Sequence, residues 1–248
     1  ALIAETACAA LRTGCGYATL AVPGSLLPIY QQRVSVSTLL PLADHDGRLT
    51  YDPDQVEQLL SSDVIAFGMG LGCSEEVGHW VLALLERYGG TLLLDADGLN
   101  SLAQYAGVDA LRRAACRVCL TPHVKEFSRL TGLSVPELLC APWKHARAFA
   151  AEYGVNLLLK GTTTVITDGD RLLLNTTGSP ALAKAGSGDV LSGIAGALLA
   201  RVPPLQAFAA AAWLHGTAGI RCAEKLGEYS VLATDLCAEI RDISEEKI

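Results

Sequence analysis

The chain has 248 residues, half of them apolar, and a formal net charge of −7. That length fills one large core or two small ones, and an acidic chain with no basic stripe excludes a protein whose work is gripping nucleic acid or an anionic membrane. Its longest apolar stretches, 190–200 and 205–214, stop well short of the roughly 20 residues that a bilayer span needs, so the chain reads as a soluble protein.

The first expected element is a helix over ALIAETACAALRTG (1–14), with a further strand expected ahead of it. YATLAV (17–22) reads as a strand, residues 25–32 as a helix and RVSVSTLL (33–40) as a strand. PDQVEQLL (53–60) is helical, with Asp52 or Asp54 near its cap. DVIAFGMGLG (63–72) is a short apolar strand running into a glycine loop, and EEVGHWVLALLERYG (75–89) has helical spacing that ends at Gly89-Gly90. Next come the strand TLLLDAD (91–97), a helix from about 99, the strand RVCLTPH (117–123) and a long helical tract to about 153. VNLLLKG (155–161), TVITDGD (164–170) and RLLLNTT (171–177) follow without helices, with Gly169-Asp170 turning the last two into a hairpin. Helices over about 187–201, 204–225 and 233–243 close the chain.

This alternation predicts an α/β fold: a mostly parallel central sheet with helices on both faces and a late antiparallel β-hairpin. No fixed-period repeat, low-complexity segment or linker divides the chain, so residues 1–248 read as a single domain. The eight cysteines read as reduced cytosolic thiols, since a chain this long and apolar needs no disulfide framework. Cys116 and Cys119 lack a second pair at zinc spacing and fall on opposite sides of a strand. No metal site is expected.

In open α/β sheets, ligands bind outside the carboxyl ends of the strands, and four such ends carry unusual residues. GMGLG (68–72) lets the backbone approach a ligand closely, although a plain tight turn fits it equally. DADGLN (95–100) closes a buried strand with two carboxylates; Asp97 reads either as a helix cap or as a ligand for a hydroxyl or metal. TPHVKEFSRL (121–130) packs His123, Lys125, Glu126 and Arg129 into one strand-to-helix turn, where a solvated helix start explains Lys125 and Arg129 but not His123. In LKGTTTVITDG (159–169), Lys160 and the threonines suit phosphates, and threonines also favour strands. A fifth feature is AKAGSGDVLSGIAGALLA (183–200). Gly186, Ser187 and Gly188 would present backbone N–H groups at a helix N-terminus, an anion hole for phosphoryl transfer. Asp189 would take a proton from an attacking hydroxyl; by itself it could also be a favourable charge at that helix end.

G-S-G-D opening a late helix, an aspartate-rich loop after a middle strand and Lys-Gly ahead of a hairpin together resemble the ribokinase-like superfamily. Within it, the order of GMGLG, DADGLN, LTPHVKEFSRLTG, LKGTTTVITDG and AKAGSGDVLSGIAGALLA, with HGTAGIRCAEKLGEYSVLATDL (215–236) behind them, resembles the ADP- or ATP-dependent NAD(P)H-hydrate dehydratases. The resemblance implies a cytoplasmic repair enzyme acting on hydrated NADH or NADPH, with ADP or ATP as phosphoryl donor and Mg2+ as cofactor. It implies no nucleic-acid or membrane partner, and a homo-oligomer, the tetramer common in that family. Asp189 would be the base and the amides of Gly186, Ser187 and Gly188 would stabilise the transferring group. Gly188 and Lys160, Gly161, Thr162, Thr163 and Thr164 match nucleotide-binding positions. Gly70, Gly72 and His123 match substrate-binding positions, as do Asp97 and Glu126 for substrate or magnesium. The sequence departs from the family pattern at Met69, in place of a usual proline, which predicts a looser glycine loop, and at Val124-Lys125, in place of a common Pro-Gly. It also starts beyond the family's first strand and its substrate loop. Two other readings remain at this stage: another small-molecule kinase of the superfamily, or a nucleotide-binding relative without turnover.

Overall fold

The structure, a computed structural model, describes residues 3–245. In chain order, α1 (Ile3–Arg12) precedes β1 (Thr19–Pro23), α2 (Leu27–Arg33) and β2 (Thr38–Leu42). A short hairpin, β3 (Asp44–His45) with β4 (Arg48–Leu49), and α3 (Pro53–Glu57) lead to β5 (Val64–Phe67) and α4 (Glu75–Arg87). β6 (Thr91–Leu94), α5 (Ala96–Ser101) and β7 (Arg117–Leu120) follow, then α6 (Val124–Thr131), α7 (Val135–Cys140) and α8 (Pro142–Tyr153). Strands β8 (Asn156–Leu159), β9 (Thr164–Thr167) and β10 (Leu172–Asn175) run into α9 (Ser187–Leu199), α10 (Pro204–Leu226) and α11 (Ala233–Glu245).

Six strands form one sheet in the order β10-β9-β8-β7-β6-β5. β5 to β8 are parallel neighbours, and β9 and β10 join antiparallel. Their apolar runs explain this burial: alternate residues of a strand face opposite sides, and both sides here are covered. Leu92 and Leu94 pack with Trp80, Leu84 and Phe127 beneath α4 and α6, whereas Leu93 packs with Ile194 and Phe208 beneath α9 and α10. The mostly parallel sheet, the two helical layers and the late hairpin are as the sequence predicts.

Several boundaries differ. The tract to 153 is three helices, because Gly132 turns left-handed at φ 72 after α6 and Pro142 starts α8 afresh. The helix expected from 99 begins at Ala96, so Asp97 stands in its first turn and not on the strand. The 53–60 helix is regular only to Glu57. The β3–β4 hairpin was readable in the Asp46-Gly47 dipeptide, since both residues take positive φ, 51 and 74. Cys119 is a core thiol and Cys116 is half-buried against the core, and burial pushes their thiol pKa values up to about 12 and about 11.

β1 and β2 pair in parallel with each other and stand apart from the six-stranded sheet. Between β1 and β5 lies a cavity of about 540 Å3, lined by Leu20, Ile65 and Phe67 with Ala7 of α1 and Gly193 of α9. α1 still docks tightly, because a Cβ on Gly193 would sit 2.1 Å from the Thr6 carbonyl oxygen. Met69 is buried, so the glycine loop is anchored at the residue expected to loosen it.

Candidate active site

The carboxyl ends of β5 to β8 converge with the N-terminus of α9. At the end of β5 the chain passes within a backbone's width of α5: a Cβ on Gly68, whose φ is 123, would lie 2.0 Å from the Asp95 carbonyl oxygen. Only glycine permits that approach. Gly70 and Gly72 also take positive φ, 69 and 78, but have open space where a side chain would stand. The Asp97 carboxylate accepts the Gly72 N–H at 2.8 Å, which ties the glycine loop to α5.

Asp95 is the residue that sequence reasoning passed over. It occupies the N-cap position of α5 without capping it. Its side chain is buried, with Oδ1 accepting from Lys160 Nζ at 2.8 Å and Oδ2 from Ser192 Oγ at 2.8 Å. A buried aspartate and a partly buried lysine are thereby held as a pair at the floor of the rim. A Cβ on Gly188 would stand 3.6 Å from Lys160 Nζ and 3.7 Å from Asp95 Oδ2, so this glycine borders the pair with no side chain between.

α9 starts at the N-cap Gly186, left-handed at φ 91 and unable to cap with a side chain. Among the described residues the amides of Gly188 and Asp189 meet no acceptor in the protein, whereas the Ser187 amide donates to the Lys184 carbonyl at 3.3 Å. The expected three-amide hole therefore loses Ser187 and gains Asp189 beside Gly188 and Gly186, whose amide likewise meets no acceptor among the described residues. The Ser187 hydroxyl is also engaged, 3.0 Å from Nε2 of buried His215. Burial pushes His215 down to about 4, so its imidazole is neutral near pH 7. His215 lay in the quoted HGTAG stretch, yet nothing local tied it to Ser187.

Asp189 is half-buried, and its carboxyl is raised above the ordinary aspartate range, first by desolvation and then by the negative Asp95, with Lys160 opposing both. A carboxylate made more basic at a helix start with free amides can accept a proton while those amides hold an anion.

The turn after β7 behaves differently. His123 is the N-cap of α6; its Nδ1 accepts from the amides of Lys125 and Glu126 at 3.1 and 3.2 Å. Glu126 Oε2 returns the bond by accepting the His123 N–H at 2.8 Å, and Oε1 lies 3.3 Å from His123 Nε2. Buried Glu126 thus serves the capping box and does not face the rim as a free ligand. His123 still exposes about half its side chain. Its backbone bridges to Lys160, which places the two side by side. Gly161, Thr162 and Thr163 form an exposed loop beyond Lys160, and Thr164 opens β9.

A mostly parallel sheet whose strand ends meet a helix start with free amides and an adjacent basic carboxylate has the α/β architecture of the ribokinase-like fold. The sequence model of the NAD(P)H-hydrate dehydratase family matches residues 3–242. The chain belongs to that family. It is 39% identical over 235 residues to the ADP-dependent (S)-NAD(P)H-hydrate dehydratase of Cenarchaeum symbiosum, covering 92% of this chain and 78% of that one. It is 37% identical to the bifunctional NAD(P)H-hydrate repair enzyme of Pyrobaculum aerophilum, covering 93% of this chain and 45% of that longer protein. The crystal structure of the ADP/ATP-dependent NAD(P)H-hydrate dehydratase of Bacillus subtilis, co-crystallised with ATP and Mg2+ and soaked with CoA, superposes with a TM-score of 0.82 at 27% identity, covering 98% of this chain and 86% of that one.

Proposed function

We propose that the protein restores hydrated NADH or NADPH to the reduced cofactor at the expense of ADP or ATP, with Asp189 as the base. The observation that carries this reading is the pairing of the raised Asp189 carboxyl with the acceptor-free amides of Gly188 and Asp189. As the ring hydroxyl of the hydrate attacks the terminal phosphorus of the nucleotide, Asp189 accepts the hydroxyl proton. The two amides and Lys160 stabilise the charge on the transferring group, and the nucleotide leaves one phosphate shorter. The ring C–O bond of the phosphorylated intermediate then breaks, phosphate departs with the electron pair, and a proton leaves the neighbouring carbon to restore the double bond.

Gly188 leaves room for phosphate beside Lys160. The exposed loop Gly161–Thr163 with Thr164 is the proposed nucleotide contact, and the open side of Gly70 and Gly72, with Asp97 and His123, the substrate contact. Both Asp95 oxygens are already engaged by Lys160 and Ser192, so Mg2+ would be carried on the nucleotide phosphates, neutralising their charge, with at most one or two carboxylates nearby. The same reading takes residues 1–248 as one catalytic domain. It also includes assembly into a homo-oligomer, the tetramer of the family resemblance, which the exposed Trp213, Tyr229 and Leu232 favour. The proposed location is the cytoplasm; among the described residues no helix is long and apolar enough to cross a membrane.

The test is to mix the purified protein with hydrated NADH, Mg2+ and either ADP or ATP and to follow the return of reduced-nicotinamide absorbance. Recovery that depends on the nucleotide and disappears in Asp189→Asn supports the assignment. No recovery with either donor overturns it, and phosphorylation of small vitamin-like alcohols instead would make the protein another kinase of this fold.

A further inference from the structure

Apart from the residues assigned above, two helices bring together ligands of a different chemistry. Glu5 and Cys8 lie one turn apart on α1, and Cys237 lies on α11, which packs against α1. One carboxylate oxygen and the two sulfurs all lie within 4.8 Å of one another. We propose that Glu5, Cys8 and Cys237 form a binding site for a thiophilic divalent cation of the zinc class, which fastens α1 to α11.

In the metal-free chain the Cys237 thiol donates to the Glu5 carboxylate and to the Glu5 carbonyl, and the same spacing suits a bound ion. Cys237 Sγ lies 3.6 Å from Glu5 Oε2. In a tetrahedral site with Zn–S of about 2.3 Å and Zn–O of about 2.0 Å, the S···O edge is about 3.5 Å, so the two atoms already have the spacing of two ligands on one ion. Thiolates select soft and borderline cations over Mg2+ or Ca2+. Cys237 is buried, while Glu5 and Cys8 are half-buried; that leaves an entry path and a fourth position for water. Two thiolates and a carboxylate carry three negative charges against the two positive charges of the ion. The Arg12 guanidinium, which interacts with Cys8, offsets the remaining one. Because α1 also packs closely along α9, the clasp would brace the helix that begins with the Asp189 turn.

The test uses the full chain, reduced and metal-free, titrated with Co2+ and then Zn2+. One equivalent of Co2+ should give thiolate-to-cobalt charge-transfer bands in the near ultraviolet and the intense visible bands of a tetrahedral ion, both erased by Zn2+. Cys8→Ser and Cys237→Ser should each abolish the bands, and Cys73→Ser with Cys140→Ser, at exposed thiols, should leave them unchanged. Glu5→Gln should weaken Co2+ binding about tenfold or more at unchanged far-ultraviolet circular dichroism, which decides the matter even where a cysteine variant fails to fold. Zn2+ should raise the Tm of the native chain and not of Glu5→Gln at the same concentration. Absent bands, bands that survive in Cys8→Ser or Cys237→Ser, an unchanged Co2+ affinity in Glu5→Gln, or recovery of Cys8 and Cys237 as a disulfide that takes up no metal would each overturn the site.

Discussion

Two helices on the same rim carry an acid at the same position, three residues after the N-cap, and put it to opposite uses. In α6 the cap is His123 and the acid is Glu126; in α9 the cap is Gly186 and the acid is Asp189. His123 satisfies two amides with its ring, and the longer glutamate reaches back to the His123 amide. That turn is closed on itself. Gly186 has no side chain to offer, and the shorter Asp189 makes no such return bond among the described residues. Its amides stay free for a ligand and its carboxyl stays raised by burial and by Asp95. A satisfied helix start is a structural joint, and an unsatisfied one, held in place by tertiary contacts, is a site.

The largest effect should come from the open turn. Asp189→Asn should lower dehydratase turnover by about 100- to 10,000-fold, the range for loss of a positioned base. Because the folded pKa of Asp189 is raised, its charged form costs stability once the pH exceeds that value. The variant should therefore melt no lower than the native protein at pH 7, and a large fall in Tm would make Asp189 a structural acid after all. In the native protein the raised pKa also predicts that turnover falls with acid at a higher pH than an ordinary aspartate would give, as a pH–rate profile would show.

His215 should produce the next effect, on stability. Its folded pKa of about 4 lies below the ordinary 6.5, so the unfolded chain binds the extra proton first. The stability it contributes is fully present above about 6.5 and is lost as the pH falls toward 4. The loss is on the order of 3 kcal/mol. Urea denaturation at several pH values should show this slope flattened in His215→Gln; an unchanged slope would place the acid sensitivity elsewhere.

Gly188→Ala sharpens the contrast within α9. Its added methyl meets only ordinary contacts, 3.6 Å from Lys160 Nζ and 3.7 Å from Asp95 Oδ2, and replacing glycine in a helix stabilises by about 0.5–1 kcal/mol. Turnover should nonetheless drop by about 100-fold, because the methyl displaces the transferring group. A variant that is both more stable and fully active would remove the phosphate from this place. The smallest effect belongs to the closed turn. Glu126→Gln should cost about 1 kcal/mol of stability through the weakened capping box, read by thermal melts, while turnover changes little. If turnover fell as far as in Asp189→Asn, the two acids would not differ as the geometry says.

The sequence alone determined the alternation of strands and helices, the doubly covered sheet, the late hairpin and the rim on which unusual residues gather. Each of these rests on short-range patterns: continuous apolar strands, glycines at turns, caps at helix starts. Asp189 was legible for the same reason, standing directly behind Gly186-Ser187-Gly188. The capping role of Glu126 was local too, since His123 and Glu126 are spaced as an N-cap and its third residue. Asp95 was not legible, because what defines it is Lys160, 65 residues onward, and Ser192, 97 residues onward. Nor was the Ser187–His215 contact, which spans 28 residues, or the separation of β1 and β2 from the main sheet. Only tertiary structure decided those, because burial and a charged neighbour, not residue type, determine whether a carboxylate is a cap, an ion-pair partner or a base.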